Sequence, residues 1–123
     1  MHEMGIAMNL YRTCRAEVEK HGSGRMQKVR VAIGELSAID PELLRFAWEA
    51  TVENSDAGCE LEVDWRRAVQ YCPQCEAIKP RAENSWLMIC PDCGSPLRVE
   101  GGYELDLLEI TFESESDSGE NPA

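Results

Sequence analysis

Residues 70–93 read QYCPQCEAIKPRAENSWLMICPDC and hold two CxxC pairs, Cys72-Pro73-Gln74-Cys75 and Cys90-Pro91-Asp92-Cys93. A two-residue spacer lets both thiolates of a pair converge on one ion, and two pairs complete a tetrahedron. The gap between the pairs is 14 residues, slightly short of the roughly 15–20 common in zinc ribbons. Four thiolates with no histidine nearby predict a closed, structural zinc site rather than a catalytic one with an open position. Iron in a rubredoxin-like site would use the same ligands. Two disulfides are the third alternative, disfavoured in a reducing compartment. Residues 70–100 carry Pro73, Pro80, Pro91 and Pro96 and show little periodicity. Such a stretch cannot build a core alone, so it reads as a module inserted into a larger fold.

Outward from it on both sides lie strands. Cys59, Leu61, Val63 and Trp65 alternate with Glu60, Glu62, Asp64 and Arg66, a half-buried strand. After the module, Tyr103, Leu105 and Leu107 alternate, then Leu108, Ile110 and Phe112 continue one residue out of phase. That shift predicts a strand with a bulge near Leu107-Leu108. Further upstream, residues 26–34 alternate through Val29, Val31 and Ile33, ending at Gly34.

Two helices complete the pattern. Met4, Ala7, Met8, Tyr11, Cys14 and Val18 form one helical stripe over residues 4–20, stopped by Gly22-Ser23-Gly24. Asp40-Pro41-Glu42 is a helix start, with Asp as cap, Pro in the first turn and Glu at the positive end of the dipole. Leu44, Ala47, Trp48 and Thr51 are its expected buried stripe. The fold class is mixed α/β, a small sheet of about three strands with two helices and an inserted zinc-ribbon-like module. Residues 1–69 and 101–112 form the α/β domain, and residues 70–100 the module. Glu113 onward, with four acids and no base, reads as a disordered tail over 113–123. If each strand returns after its helix, both helix N-termini share one end of the domain, and the module joins there. Cys14 and Cys59 fall on buried faces and read as small core hydrophobes.

Composition narrows the function. The chain has 123 residues, with 12 Lys+Arg against 23 Asp+Glu, and a sequence pI near 4.5. That balance excludes the electrostatic footprint of a nucleic-acid binder and opposes an anionic membrane surface. No stretch is long and apolar enough to span a bilayer, and Met1-His2-Glu3-Met4 lacks the pattern of a secretory signal. A cytoplasmic location is expected. No nucleophile–base grouping and no Gly-rich phosphate loop are visible, so an enzyme is not expected.

The amino terminus offers a second metal site. An initiator Met before a residue as large as His is normally kept, which predicts a free Met1 amine. That amine, the His2 backbone nitrogen and the imidazole can chelate one ion in adjacent five- and six-membered rings. A deprotonated amide ligand calls for Ni(II) or Cu(II). Glu3 adds a carboxylate, and Asp40 is placed at the same end of the fold. The plainer reading is an exposed polar residue at a frayed terminus. His21 reads as an exposed residue favoured by the helix dipole.

Together, Met1-His2-Glu3 opening an amphipathic helix, Gly34-Glu35-Leu36 after a strand, Asp40-Pro41-Glu42 and the two CxxC pairs resemble the HypA/HybF hydrogenase nickel-incorporation family, over residues 1–112. The resemblance implies a metallochaperone delivering Ni(II) during maturation of [NiFe]-hydrogenase, with urease a further client in some members. It implies a nickel-binding α/β domain, nickel carried through Met1, His2 and Glu3 with Asp40 beside them, and structural Zn(II) on Cys72, Cys75, Cys90 and Cys93. Implied partners are a nickel-loading GTPase of the maturation system and the hydrogenase large-subunit precursor, with homo-oligomerisation also open. Gly5 stands where serine is common in the family, and Glu76 where glycine often follows the first CxxC. The alternative is a zinc-ribbon adaptor that binds proteins and transfers no nickel. Nickel titration of a tag-free N-terminus separates the two.

Overall fold

The computed structural model describes residues 2–82 and 85–114. Helix α1 spans Glu3–Lys20, strand β1 Gly24–Gly34, helix α2 Pro41–Thr51 and a 3-10 turn Asn54–Asp56. Strands follow at Glu60–Arg66 (β2), Val69–Cys72 (β3), Ala77–Lys79 (β4), Arg98–Glu100 (β5) and Leu105–Ser114 (β6). They form two three-stranded sheets, β2-β1-β6 and β4-β3-β5. The second sheet is the cysteine module, whose short strands leave no periodicity to read.

In the first sheet β1 pairs parallel with β2 and antiparallel with β6. A parallel pair needs a crossover, and α2 supplies it. The C-terminal ends of β1 and β2, the start of β6 and the module therefore meet at one end. Both helix N-termini lie there too, because the Asp40 amide donates to Glu3 Oε2 at 3.0 Å. The expected bulge is present: Arg30 pairs with Glu109 and Val31 with Leu107, leaving Leu108 over. A second irregularity falls at Gln27, between the Met26–Phe112 and Lys28–Thr111 pairs.

The core joins Ala7, Tyr11, Cys14 and Val18 of α1 to Val29, Val31 and Ile33 of β1 and to Leu44, Ala47 and Trp48 of α2. Tyr11 meets Trp48 edge-on, with ring centroids 5.7 Å apart. Cys14 and Cys59 are buried as expected, and desolvation first of all pushes their thiols up to about 12 and about 11. Met4 and Met8 depart from the expected stripe, being 46% and 48% exposed. Ile6 and Leu10 pack against the core instead, because α1 is turned toward β6 and its Met-bearing edge faces solvent.

Strand β6 also differs from its sequence limits. It begins at Leu105 rather than Tyr103 and runs on to Ser114, with Glu113 opposite Arg25 and Ser114 opposite Gly24. The first two residues assigned to the tail are thus sheet. The remainder, 115–123, lies outside the described residues. The later start follows from a tight crossing: a Cβ on Gly34 would sit 2.2 Å from the Gly102 carbonyl carbon, and Gly102 has φ +90°. Only glycine fits both sides of that approach.

Candidate metal centres

The cysteines are gathered by two knuckles. Cys72 ends β3, and the Cys75 amide turns back to its sulfur at 3.4 Å; the Asp92 amide does the same for Cys90 at 3.4 Å. Each knuckle closes through the residue after its second cysteine: Glu76 N–H donates to Cys72 O at 2.7 Å and Gly94 N–H to Cys90 O at 2.9 Å. Gly94 adopts φ +77° at no steric cost, whereas Glu76 adopts φ +57° with a side chain attached.

All four sulfurs lie within 4.8 Å of one another. Cys72 and Cys93 are 3.5 Å apart, Cys75 and Cys90 4.0 Å. A tetrahedron of metal–sulfur bonds of about 2.3 Å has sulfur–sulfur edges of roughly 3.8 Å, so these residues fit an ion such as zinc. Cys72 and Cys90 are buried, while Cys75 and Cys93 face out. The electrostatics differ around the ring. Hydrogen bonds from the Ser95 hydroxyl and amide pull the Cys93 thiol down to about 6. Hydrogen bonding to Cys93, then desolvation, pushes Cys75 up to about 12. Four thiolates this close cannot all ionise without a cation among them, so metal entry must release protons.

The amino-terminal end is more open. His2 is exposed and precedes α1, its carbonyl accepting from Ile6 N–H at 3.1 Å. Glu3 is tied to the Asp40 amide, a bond that is the main cause of its lowered carboxyl pKa. Asp40 caps α2 through Oδ1, accepting from the Glu42 and Leu43 amides at 2.9 and 3.3 Å. Glu3 and Asp40 are thus brought together. Among the described residues, however, only the four cysteines form a group of three or more ligand atoms within 4.8 Å. Met1 lies outside the described residues.

Between the two centres stands an ion pair that sequence reading missed. Glu35, just past β1, accepts from the Ala68 amide at 2.9 Å and from the Arg81 guanidinium through the same oxygen. Arg81 also donates to Ala68 O at 3.1 Å and stacks 3.8 Å over the Trp86 ring. Leu36 N–H bonds Gly102 O, and Glu35 N–H bonds Arg66 O at 2.8 Å. A lone Arg before a Trp in a proline-rich insert was the available signal, but its partner lies 46 residues away.

The comparisons with known proteins bear on this arrangement. The family profile described as "Hydrogenase/urease nickel incorporation, metallochaperone, hypA" matches residues 1–112. The chain belongs to the HypA family. A curated HypA relative, the hydrogenase maturation factor of Chlorobium limicola, is 35% identical over 119 residues, covering 92% of this chain and 97% of its own. The maturation factor HybF of Salmonella typhimurium is 30% identical, with 92% and 100% covered. Among solved HypA structures, the solution structure of the Ni metallochaperone from Helicobacter pylori aligns at TM-score 0.62 and 26% identity, covering 94% of this chain and 100% of that one. The adaptor alternative has no support among these HypA relatives.

Proposed function

We propose that this chain is a nickel metallochaperone that binds Ni(II) at its amino terminus and hands it on during maturation of [NiFe]-hydrogenase. The observation that carries this reading is the match of the nickel-incorporation profile to residues 1–112; the 3.0 Å bond from the Asp40 amide to Glu3, which ties the start of α2 to the residue after His2, supports it. Nickel is the cargo. The Met1 amine, the His2 amide nitrogen and the imidazole supply its nitrogen ligands, with the Glu3 and Asp40 carboxylates beside them. Imidazole must be neutral to ligate and the amide must lose its proton, so the site loads at neutral pH and discharges in acid. An open, exposed terminal site suits a carrier, whereas a closed thiolate cage would retain its ion.

The four cysteines hold structural Zn(II) in this reading, with residues 70–100 as its module and 1–69 with 101–112 as the nickel domain. The partners are a nickel-loading GTPase of the maturation system and the hydrogenase large-subunit precursor. The chain acts in the cytoplasm and does no catalysis; among the described residues no helix is long and apolar enough to cross a membrane.

Nickel titration of tag-free protein tests the reading. His2→Ala abolishes specific nickel binding with zinc content unchanged, and an extension before Met1 weakens binding with His2 intact. Cys90→Ala releases the zinc and loosens 70–100 while the nickel domain keeps its fold. Parental nickel binding in His2→Ala would move the ligands elsewhere, and zinc-free protein from an anaerobic preparation would remove the structural site.

A further inference from the structure

Two helices cover a three-stranded sheet, and the outer strand is left half bare. Leu107, Ile110 and Phe112 on the inward face of β6 are only partly buried, and Leu105 is 42% exposed. Beside them runs a groove walled on the other side by α1. One part, 260 Å³, lies between Ile6, Leu10 and Leu105. The next, 360 Å³, lies between Val18, His21 and Phe112. Thr13 and Leu107 line both, so the two are continuous. From Ile6 to His21 is about 22 Å at a rise of 1.5 Å per residue, and Leu105 to Phe112 at about 3.3 Å per residue matches it. The groove therefore has the length of a helix of about four turns.

Its chemistry selects the occupant. The floor is apolar. Acids flank it at Glu17, Asp106 and Glu109, and no Lys or Arg lines it. Glu17 and Glu109 have cation partners in Lys20 and Arg30 at 3.3 and 3.8 Å, but such exposed pairs are weak and exchange readily. Residues 115–123 of the chain offer Ala123 as their one apolar residue and carry acids without bases, so their chemistry does not match the groove. A second copy brings another net charge of −11, which repels.

We infer that this groove docks an amphipathic helix of another protein, with a narrow apolar stripe and Lys or Arg along its flanks. Ile6, at the groove's mouth, is one turn from His2, whose carbonyl it engages. The occupant's end thus comes to rest beside the amino-terminal site. The docking does not depend on nickel binding there.

The test uses the full chain, backbone-amide NMR and two synthetic 15-residue peptides, with Leu at helical spacing and either Lys or Glu elsewhere. The Lys peptide should shift the amides of 6–21 and 105–112, less so as salt rises. Thr13 is exposed at the groove's centre, so Thr13→Trp should weaken binding at least about tenfold. Leu108→Lys, at another exposed position, should do the same through charge and serves if the first variant does not fold. The inference is overturned if the Glu peptide binds equally, or if shifts spread over the acidic outer face at 60–64. It is overturned also if both variants bind like the parent, or if the groove amides shift with protein concentration alone, which would make a second copy the occupant.

Discussion

Glu35 and Arg81 form an ion pair across the seam between the two sheets, with side chains only 15% and 4% exposed. One partner belongs to the loop that leads from β1 to Asp40, and the other to the segment after β4 of the cysteine module. Beyond short backbone contacts at 34–36 and 66–68, this pair is the polar link that sets how the module sits on the end carrying His2 and Glu3.

Removing one side of a buried pair leaves the other uncompensated, so Arg81→Ala is expected to cost about 3 kcal/mol or more. Its local mark is specific. Hydrogen exchange should quicken at 35–36 and 66–68 while the metal content of the four-cysteine site stays at the parental value. A variant with parental exchange at those amides would show that the backbone bonds suffice.

Asp56 is fully buried and accepts from Tyr11 Oη at 2.5 Å, Met26 N–H at 2.9 Å and Arg15 at 3.3 Å. It pins α1, β1 and the turn before β2 together. Asp56→Ala is expected to destabilise by about 3–5 kcal/mol, and Tyr11→Phe by about 1–2, measured by urea unfolding. Burial, then the bond to Asp56, pushes the Tyr11 hydroxyl from 10.0 up to about 12. Because the folded-state value is raised, this contribution is complete below pH 10 and is lost between there and about 12. Tyr11→Phe should be insensitive over that window.

Glu76 adopts a left-handed conformation in the place where its counterpart Gly94 does so freely. Glu76→Gly is expected to stabilise the first knuckle by up to about 1 kcal/mol, net of the entropy glycine adds to the unfolded chain. The measurement is the chelator concentration at which half the metal is lost, which should rise.

The Asp40 amide holds the Glu3 carboxyl below the ordinary glutamate value of 4.5. A depressed folded-state value means that the tie is complete above 4.5 and fails only as pH falls through the lower one. In the nickel reading proposed above, loss of the ion between neutrality and pH 5 would then be set by the chelating nitrogens and not by Glu3. Glu3→Gln should bind nickel more weakly with an unchanged midpoint in pH, which titrations at stepped pH will read.

What the sequence revealed tracks how local each signal was. The CxxC knuckles, the Asp40-Pro41 helix start and the Leu108 bulge are written within a few neighbouring residues, and all three are present. The shared end of the two helices followed from connectivity alone. The exposure of Met4 and Met8 was not legible, because helical spacing gives a stripe without saying how far the helix rolls toward β6. Nor was the Glu35–Arg81 pair, whose partners are brought together only by the fold. The extension of β6 to Ser114 was hidden because Glu113 and Ser114 join β1 through backbone pairing, which needs no apolar side chains.

β1 is the middle strand of its sheet, and its partner β6 is encoded only after the whole cysteine insert. A chain emerging from the ribosome therefore displays β2 paired on one edge of β1 while the other edge waits, bare, for some forty further residues. During that interval the unsatisfied edge is a template for any strand nearby. An insert that folds quickly around its ion draws the ends of the intervening segment together and shortens the search for closure. The supply of that ion during synthesis would then govern how much of the protein reaches its finished sheet.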